Sequence, residues 1–442
     1  MRGERHGGNL RRFPAELDFS ANINPLGMPD SVRRAAEAAI RDAVRYPDLC
    51  LTDLRETLGR YFSVPPQWIV PGNGAAELIY AAAACMRGRR AVLAEPAFSE
   101  YVLACRAAGC PVRSVRLQEN AGFRFTEETG AALSALVRAN AGAVVFLGSP
   151  NNPTGGTVPR EEILRILQAA EAEAGAEAEN AAGAESVIRA ETRMGTEASA
   201  AAAGTDTGEK TKAAVRAVSK AEAQTEADAG TAEGAGTATG AETEKEAGSE
   251  AAVKTTEVVS DADSGFRRCR VIVDESFLPF LPDSAEKSML PFLAEHPGLS
   301  VIRSFTKLYG MPGLRLGFLI SADKTFRRRF RELLPPWNVS VPAIAAGIAA
   351  TAEQAFVGRT QALVREERAF LSTALAARGC TVYPGEANFL LFRAAPDLQE
   401  RLLKNGVLIR SFADFPDLSE GYFRIAVRTH EENAELLRRW PM

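Results

Sequence analysis

The chain has 442 residues, of which 46% are hydrophobic, and a formal net charge of −4. This length suits two folded domains, and the near-neutral charge gives no reason to expect nucleic acid as a partner. The six cysteines show no CxxC spacing and only three histidines are present, so we expect no metal site and no disulfide framework. Since no apolar run reaches membrane-spanning length and the N-terminus lacks a signal-peptide core, we expect a soluble, cytoplasmic protein.

The first informative element is PGNGAAELIYAAAACM (71–86), in which a Gly-rich turn precedes an Ala-rich helix. The free amides and the dipole of a helix N-terminus suit a phosphate. A Gly before a helix is also common in ordinary turns, so the motif is weak when it stands alone.

Strand-like runs then alternate with helical stretches. Four short β-branched runs lie at 89–96, 141–150, 268–277 and 299–305. This alternation predicts an α/β fold with a mainly parallel sheet covered by helices. Ligands of such sheets bind beyond the carboxyl ends of the strands, and three of these strand ends present Asn152, Asp274 and Lys307.

Residues 171–265 interrupt this pattern with an Ala/Glu/Gly/Thr/Lys composition that contains no aromatic residue, proline or cysteine. The segment has 20 acidic and 8 basic residues, a net charge of about −12, whereas the 36 acidic and 44 basic residues elsewhere give about +8. It has too little apolar surface to offset the entropy of ordering, so we predict a disordered or loosely helical insert.

The stretch VIRSFTKLYGMPGLRLGFLI (301–320) places a lysine, Lys307, just after an apolar strand. Ser304 precedes the lysine by three residues and Arg315 follows it by eight. A desolvated amine beside a hydroxyl and a guanidinium is what a lysine needs to form a Schiff base with pyridoxal phosphate (PLP). A surface lysine after a strand is the plainer alternative.

Three further residues suit the same cofactor. A carboxylate at Asp274 would keep the pyridine nitrogen protonated, Asn152 in SPNNPTGG could hydrogen-bond the phenolic O3′, and Phe98 in EPAFSEY could stack on the ring. Each also has a structural alternative: a helix cap, an Asn-Pro turn and a core aromatic.

The C-terminal third of the sequence has a different pattern of predicted helices and strands. Helical sequence after residue 335 leads to strand-like runs at 381–392, 402–412 and 421–429, which predicts a small α+β domain. We therefore divide the chain into an N-terminal arm (1–45), a large domain (46–335) that the insert interrupts, and a small domain (336–442).

SPNNPTGG, VIVDESF and SFTK followed by GLRLGF together resemble the fold-type I PLP-dependent aminotransferase superfamily, over nearly all of the chain except the insert. The resemblance implies that Lys307 is the Schiff-base lysine, Asp274 the pyridinium partner, Asn152 the O3′ ligand and Phe98 the stacking ring. It implies a homodimer, in which Tyr46 of RYPD reaches the partner's cofactor phosphate, and a substrate-carboxylate arginine, Arg424. The residues implied to hold the cofactor phosphate are Asn73, Gly74, Ala75, Ser304 and Arg315.

The sequence resembles two branches of this superfamily. Histidinol-phosphate aminotransferases share the architecture, but the N-terminal HGGN (6–9) and DFSANINPLG (18–27) resemble the threonine-phosphate decarboxylases of cobalamin biosynthesis. Phe277 agrees, because the aminotransferase branch usually has a tyrosine three residues after the aspartate. The resemblance therefore implies a PLP-dependent lyase that removes CO2 from L-threonine O-3-phosphate.

The implied ligands of the substrate phosphate are His6, Gly7, Asn24 and Arg410, with Arg428 a weaker candidate. Two alternatives remain open: an aminotransferase acting on histidinol phosphate or a related compound, and a non-enzymatic PLP-binding protein whose acidic insert binds a partner.

Overall fold

The computed structural model describes residues 7–172, 268–415 and 418–441. All of them belong to one compact unit, Met1–Ala176 with Ser264–Met442. The insert predicted at 171–265 lies outside the described residues except for its first two, so its disorder stays a prediction. The boundaries at 45/46 and 335/336 likewise remain predictions.

The described strands fall into three sheets. In chain order they are β1 (Leu17–Asp18), β2 (Ile69–Gly72), β3 (Ala91–Glu95), β4 (Val112–Arg116), β5 (Val144–Gly148), β6 (Arg270–Asp274), β7 (Leu299–Ser304), β8 (Gly317–Ile320), β9 (Thr381–Val382), β10 (Phe389–Arg393), β11 (Val407–Leu408), β12 (Arg410–Ser411) and β13 (Tyr422–Ala426).

The largest sheet has seven strands in the order β2-β8-β7-β6-β5-β3-β4. Neighbours from β4 through to β7 pair in parallel, while β8 runs antiparallel to both β7 and β2. Every residue of β5, β6 and β7 is buried, as expected for parallel strands covered on both faces. The predicted mainly parallel sheet is confirmed.

Helices cover the faces of this sheet and surround the C-terminal strands. The longer ones are Asp30–Ala39, Thr52–Phe62, Gly74–Cys85, Ser99–Ala107, Glu127–Arg138, 160–172 up to the end of the described range, Lys324–Glu332, Val341–Ala350, Gln354–Ala376 and His430–Arg438. Shorter ones are Ser284–Lys287, Phe305–Leu308 and Leu398–Lys404. The helix Gly74–Cys85 packs its alanines against the sheet, which is why seven of its twelve residues are buried.

The C-terminal strands form a four-stranded antiparallel sheet in the order β12-β13-β10-β9. The N-terminal arm is attached to this region, because β1 pairs in parallel with β11 and the Ala426 amide donates to the Phe19 carbonyl. The polypeptide that follows Phe19 is thereby held beside β12 and β13.

No single helix among the described residues is both long and apolar enough to cross a membrane. One sharply bent pair, Val341–Ala350 with Gln354–Ala376, meets the length and composition criteria together.

Candidate active site

A cavity of about 460 Å³ lies where β5, β6 and β7 end. The N-terminal arm and strands β12 and β13 also contribute side chains to it. Ten of the residues predicted for the site line this cavity: Gly7, Ala75, Phe98, Asn152, Asp274, Ser304, Lys307, Arg315, Arg410 and Arg424. Stretches of sequence that are far apart along the chain, from Gly7 to Arg424, therefore meet in one place.

Lys307 lies on the short helix Phe305–Leu308 that follows β7, rather than at the end of the strand itself. Ser304 caps this turn, because its hydroxyl accepts a hydrogen bond from the Thr306 amide at 3.2 Å. Burial, with the nearby Arg424 and Arg315 guanidinium groups, lowers the pKa of Lys307 to about 8. The amine is therefore far more often neutral, and so nucleophilic, than that of an exposed lysine.

Asp274 is the last residue of β6 and is buried. Its Oδ2 accepts from the Tyr101 hydroxyl at 3.0 Å and its Oδ1 from the Ser276 amide at 3.0 Å. Burial raises the pKa of Asp274, and hydrogen bonds from Ser276, through its side chain and its amide, and from Tyr101 oppose the rise. A buried carboxylate with two fixed donors is well suited to bind a protonated ring nitrogen.

The start of helix Gly74–Cys85 forms an anion cradle. Gly74 has a φ of +83°, and a Cβ at that position would lie 2.4 Å from Arg315 Nη2. Only glycine therefore allows the Arg315 guanidinium to lie against the first turn of the helix. The helix receives no side-chain cap from Asn73, and Ala75, Ser304 and Thr306 line the cavity beside it.

The adjacent residues Asn151 and Asn152 make different contacts. Asn151 is buried and donates to Pro96 O and Thr154 Oγ1, both at 2.9 Å, which holds the loop together. Asn152 lines the cavity, and its Oδ1 accepts from Arg424 Nη1 at 2.5 Å. Its Nδ2 is therefore the amide group that remains to donate to a ligand.

Arg410 on β12 and Arg424 on β13 are directly paired across the two strands. Both are buried to 8% exposure and line the cavity. Burial first, and then the neighbouring Arg410, lowers the pKa of Arg424 to about 9. Two adjacent buried guanidinium groups form a strong site for anionic groups of a ligand.

Ser20 connects the N-terminal arm to Arg424. Its hydroxyl accepts from the Gly8 amide at 2.7 Å and donates to Asp18 Oδ1 at 2.6 Å, and its carbonyl accepts from Arg424 Nη2 at 2.9 Å. A Cβ on Gly7 would lie 2.1 Å from the Ser20 carbonyl oxygen. The HGGN and DFSAN motifs are thus in direct contact at the cavity.

The remaining predicted site residues lie elsewhere. Asn24, which was expected as a phosphate ligand, does not line the cavity: its Nδ2 donates to Leu308 O at 2.6 Å and to Thr360 Oγ1 at 2.8 Å. Asn73 is exposed. Gly74 shapes the anion cradle but does not line the cavity. Arg428 forms an ion pair with Glu432 at 2.6 Å. Tyr46 is 78% exposed and stacks on Trp337, and His6 lies outside the described residues.

Sequence reasoning missed several lining residues, namely Ser20, Asn22, Tyr101, Thr306, Phe412 and Phe415. Asn22 is 3% exposed, and its Oδ1 has no hydrogen-bond partner among the described residues. It lies in the same motif as Asn24, two residues earlier, and nothing in the motif distinguishes the two asparagines. Thr306 could have been found, because it lies between Ser304 and Lys307.

Comparison with known proteins agrees with this geometry. The family described as aminotransferase class I and II matches residues 14–175 and 265–439. The chain therefore belongs to this family, whose fold is the fold-type I architecture of PLP-dependent enzymes, and its cofactor is PLP. Residues 176–264 fall between the matched ranges.

Individual relatives cover nearly the whole chain. It is 31% identical to the threonine-phosphate decarboxylase of Salmonella typhimurium, over 98% of this chain and 94% of that protein. It is 24% identical to a histidinol-phosphate aminotransferase of Ruminiclostridium cellulolyticum, over 97% and 93%.

Two solved structures share the fold. One is the histidinol-phosphate aminotransferase of Sinorhizobium meliloti in complex with pyridoxal-5′-phosphate, with TM-score 0.66 and 17% identity over 97% of this chain and 91% of that one. The other is the L-threonine-O-3-phosphate decarboxylase of Porphyromonas gingivalis, with TM-score 0.63 and 20% identity over 96% and 98%.

The residues present fit PLP. The cradle at Gly74 and Arg315 suits its phosphate, Lys307 its aldehyde carbon, Asp274 its ring nitrogen and Asn152 Nδ2 its phenolic oxygen. Phe98 lines the same cavity and suits the face of the ring.

Proposed function

We propose that this protein is a PLP-dependent lyase that converts L-threonine O-3-phosphate into (R)-1-aminopropan-2-yl phosphate and CO2, a reaction of cobalamin biosynthesis. The observation that carries the proposal is the contact of both N-terminal motifs at Ser20, within the cavity that holds Lys307 and Asp274. These motifs separate the decarboxylase branch from the aminotransferases. The 31% identity to a threonine-phosphate decarboxylase supports the same choice.

The charge of the cavity suits this substrate. Its lining includes Lys307 and three arginines, against two acidic side chains, Glu100 and Asp274. Threonine phosphate has two anionic groups, a carboxylate and a phosphate. Arg424 would hold the carboxylate, because charged donors at fixed positions bind such groups most strongly. Arg410, with neutral N–H donors from the Gly7 backbone and the Asn22 side chain, would hold the phosphate.

The residues that hold the substrate would determine which bond at its Cα breaks, because they set its orientation. When bound, PLP provides an electron sink for the bond that breaks at the substrate Cα, provided that this bond is perpendicular to the ring. Arg424 fixes the carboxylate, and its own position is fixed by Asn152 Oδ1 and Ser20 O. If the bond from Cα to the carboxylate is held perpendicular to the ring, the carboxylate is lost as CO2. If that bond lies near the ring plane, the α-proton is lost instead.

Lys307 and Asp274 would hold and transfer the protons that the reaction requires. Asp274 holds a proton at the ring nitrogen, which requires its carboxylate to be ionised. Lys307 Nζ, with its pKa of about 8, can supply a proton to Cα near neutral pH after CO2 has left.

We further propose that the enzyme is a cytoplasmic homodimer. Tyr46 and Trp337 stack at 4.4 Å while remaining 78% and 44% exposed, and Ile40, Val44 and Leu49, which are near Tyr46 in sequence, are exposed as well. Several exposed apolar side chains in one segment favour a subunit interface. Tyr46 would then reach the cofactor phosphate of the partner subunit.

A transaminase acting on histidinol phosphate is the second candidate, favoured by the relatives of that name at 24% to 26% identity. Purified protein with PLP should be incubated with threonine phosphate, with and without 2-oxoglutarate. We expect CO2 release that does not require the oxo acid, together with poor conversion of histidinol phosphate. Oxo-acid-dependent amino transfer without CO2 would assign the chain to the aminotransferase branch instead.

A further inference from the structure

Among the described residues, Tyr101 is the one phenol that lines the cavity, and it has no role in the reaction described above. It lies on the helix Ser99–Ala107 and is 2% exposed. Its hydroxyl donates to Asp274 Oδ2 at 3.0 Å. Burial and the adjacent Asp274 raise the pKa of Tyr101 well above its usual value, so the hydroxyl keeps its proton and is a permanent donor.

Strand β5 holds this ring in place. The Tyr101 ring stacks on Phe146 with centroids 5.4 Å apart and planes 11° apart, and Phe98 meets it edge-on at 5.6 Å. Gly148, two residues after Phe146, is paired in register with Asp274. A Cβ on Gly148 would lie 3.3 Å from the Tyr101 hydroxyl oxygen, so the absence of a side chain there leaves room for the hydroxyl beside the carboxylate.

Phe277 also lines the cavity, at the sequence position where the aminotransferase branch usually has a tyrosine. Its ring packs edge-on against Phe389 at 5.1 Å. On the O3′ side, the donor that the structure provides is the Asn152 amide. On the ring-nitrogen side, the Tyr101 hydroxyl donates to Asp274 Oδ2 and the Ser276 amide to Asp274 Oδ1, and the Ser276 side chain also stabilises the carboxylate.

We propose that Tyr101 is a positioning residue that keeps Asp274 ionised and aimed at the ring nitrogen of PLP. The physical reason is that burial favours the neutral acid, whereas a hydrogen bond to the charged form favours the carboxylate. Without the phenol donor, the carboxylate becomes more basic and draws the shared proton away from the ring nitrogen. The inference rests on the proposed cofactor site but not on the identity of the substrate.

The test compares wild type with Tyr101→Phe, which removes one oxygen and keeps the ring. In PLP-free protein with 13C-labelled aspartate, the Asp274 carboxyl signal is assigned by its loss in Asp274→Asn and titrated by NMR. We expect its midpoint to rise by roughly 0.5–1 pH unit in Tyr101→Phe. The other titratable side chains lining the cavity, Glu100, Lys307, Arg315, Arg410 and Arg424, are unchanged in both proteins.

A second measurement uses PLP labelled with 15N in the ring. The nitrogen signal of the bound cofactor should move toward the neutral-pyridine value in Tyr101→Phe. Tyr309→Phe is the matched control, since it removes another buried phenol oxygen, 3.3 Å from the Tyr61 hydroxyl and outside the cavity lining. We expect the control to move neither signal.

Two results would overturn the proposal in different ways. An unchanged Asp274 midpoint and an unchanged nitrogen signal in Tyr101→Phe would leave Tyr101 a packing residue, with the proposed function intact. Wild-type protein that fails to bind PLP would overturn both this inference and the proposed function.

Discussion

Arg424 Nη1 donates to Asn152 Oδ1 at 2.5 Å, joining strand β13 to the loop after β5 across 272 residues of sequence. A guanidinium can only donate hydrogen bonds, so the atom of the Asn152 amide that faces Arg424 must be the oxygen and not the nitrogen. The same arginine donates to Ser20 O at 2.9 Å. One side chain thus fixes Asn152 and the N-terminal arm together, and in the proposed reaction it would also orient the substrate carboxylate.

The first prediction concerns this arginine. Arg424→Lys keeps the charge but loses the planar fork that reaches Asn152 and Ser20 together. We expect kcat/KM for threonine phosphate to fall by about 10- to 100-fold, the equivalent of one lost charged hydrogen bond. The affinity for PLP should change far less. Arg428→Lys, which alters an arginine outside the cavity, serves as the control and should retain near-normal kcat/KM.

The second prediction follows from the pKa of Lys307, which is about 8. Only the neutral amine attacks an aldehyde carbon, so the rate at which PLP-free protein captures PLP covalently should rise through pH 8 and level off above it. Removing a positive neighbour raises a lysine pKa, and Arg424→Gln should therefore shift the midpoint to higher pH. Stopped-flow absorbance measures the rate, and Lys307→Ala should show no covalent capture. A pH-independent rate in wild type would contradict the prediction.

The third prediction tests the contact at Ser20. Gly7→Ala would place a methyl group 2.1 Å from the Ser20 carbonyl oxygen, and Ser20→Ala would remove the acceptor of the Gly8 amide. Both changes should release the arm, raise KM for threonine phosphate several-fold and speed hydrogen exchange at Gly8. PLP affinity should stay near that of wild type.

Gly358→Ala is the control for this pair of variants. A Cβ at Gly358 meets nothing within 4 Å, and the residue lies inside the helix Gln354–Ala376. Alanine there should leave KM unchanged and stabilise the fold by about 1 kcal/mol. If Gly7→Ala behaved like this control, the arm would have no part in substrate binding.

The sequence predicted the sheet and the polar residues at or just after the ends of its strands, because short continuous apolar runs rich in β-branched residues, with polar residues at their ends, are local signals. Asp274 and Lys307 are of this kind. Tyr101 was not predicted, since its contact with Asp274 spans 173 residues and depends on the space above Gly148. The choice between Asn22 and Asn24 also had no local signal, because both asparagines are buried and only the path of the loop separates them.

The last prediction concerns the acidic insert. Deleting residues 175–262 should leave folding and decarboxylation largely intact, since the family match resumes at residue 265 and the deleted sequence has no apolar periodicity to pack on a core. The ends of the deletion need a short linker, and closing a shorter loop costs little, because each halving of loop length changes the free energy by only about 0.6 kcal/mol. Thermal unfolding and CO2 release should both remain close to those of the full chain. An insoluble or inactive variant would mean that the insert covers a surface or contributes contacts to the enzyme, whereas loss of a binding partner with activity retained would assign it a separate role.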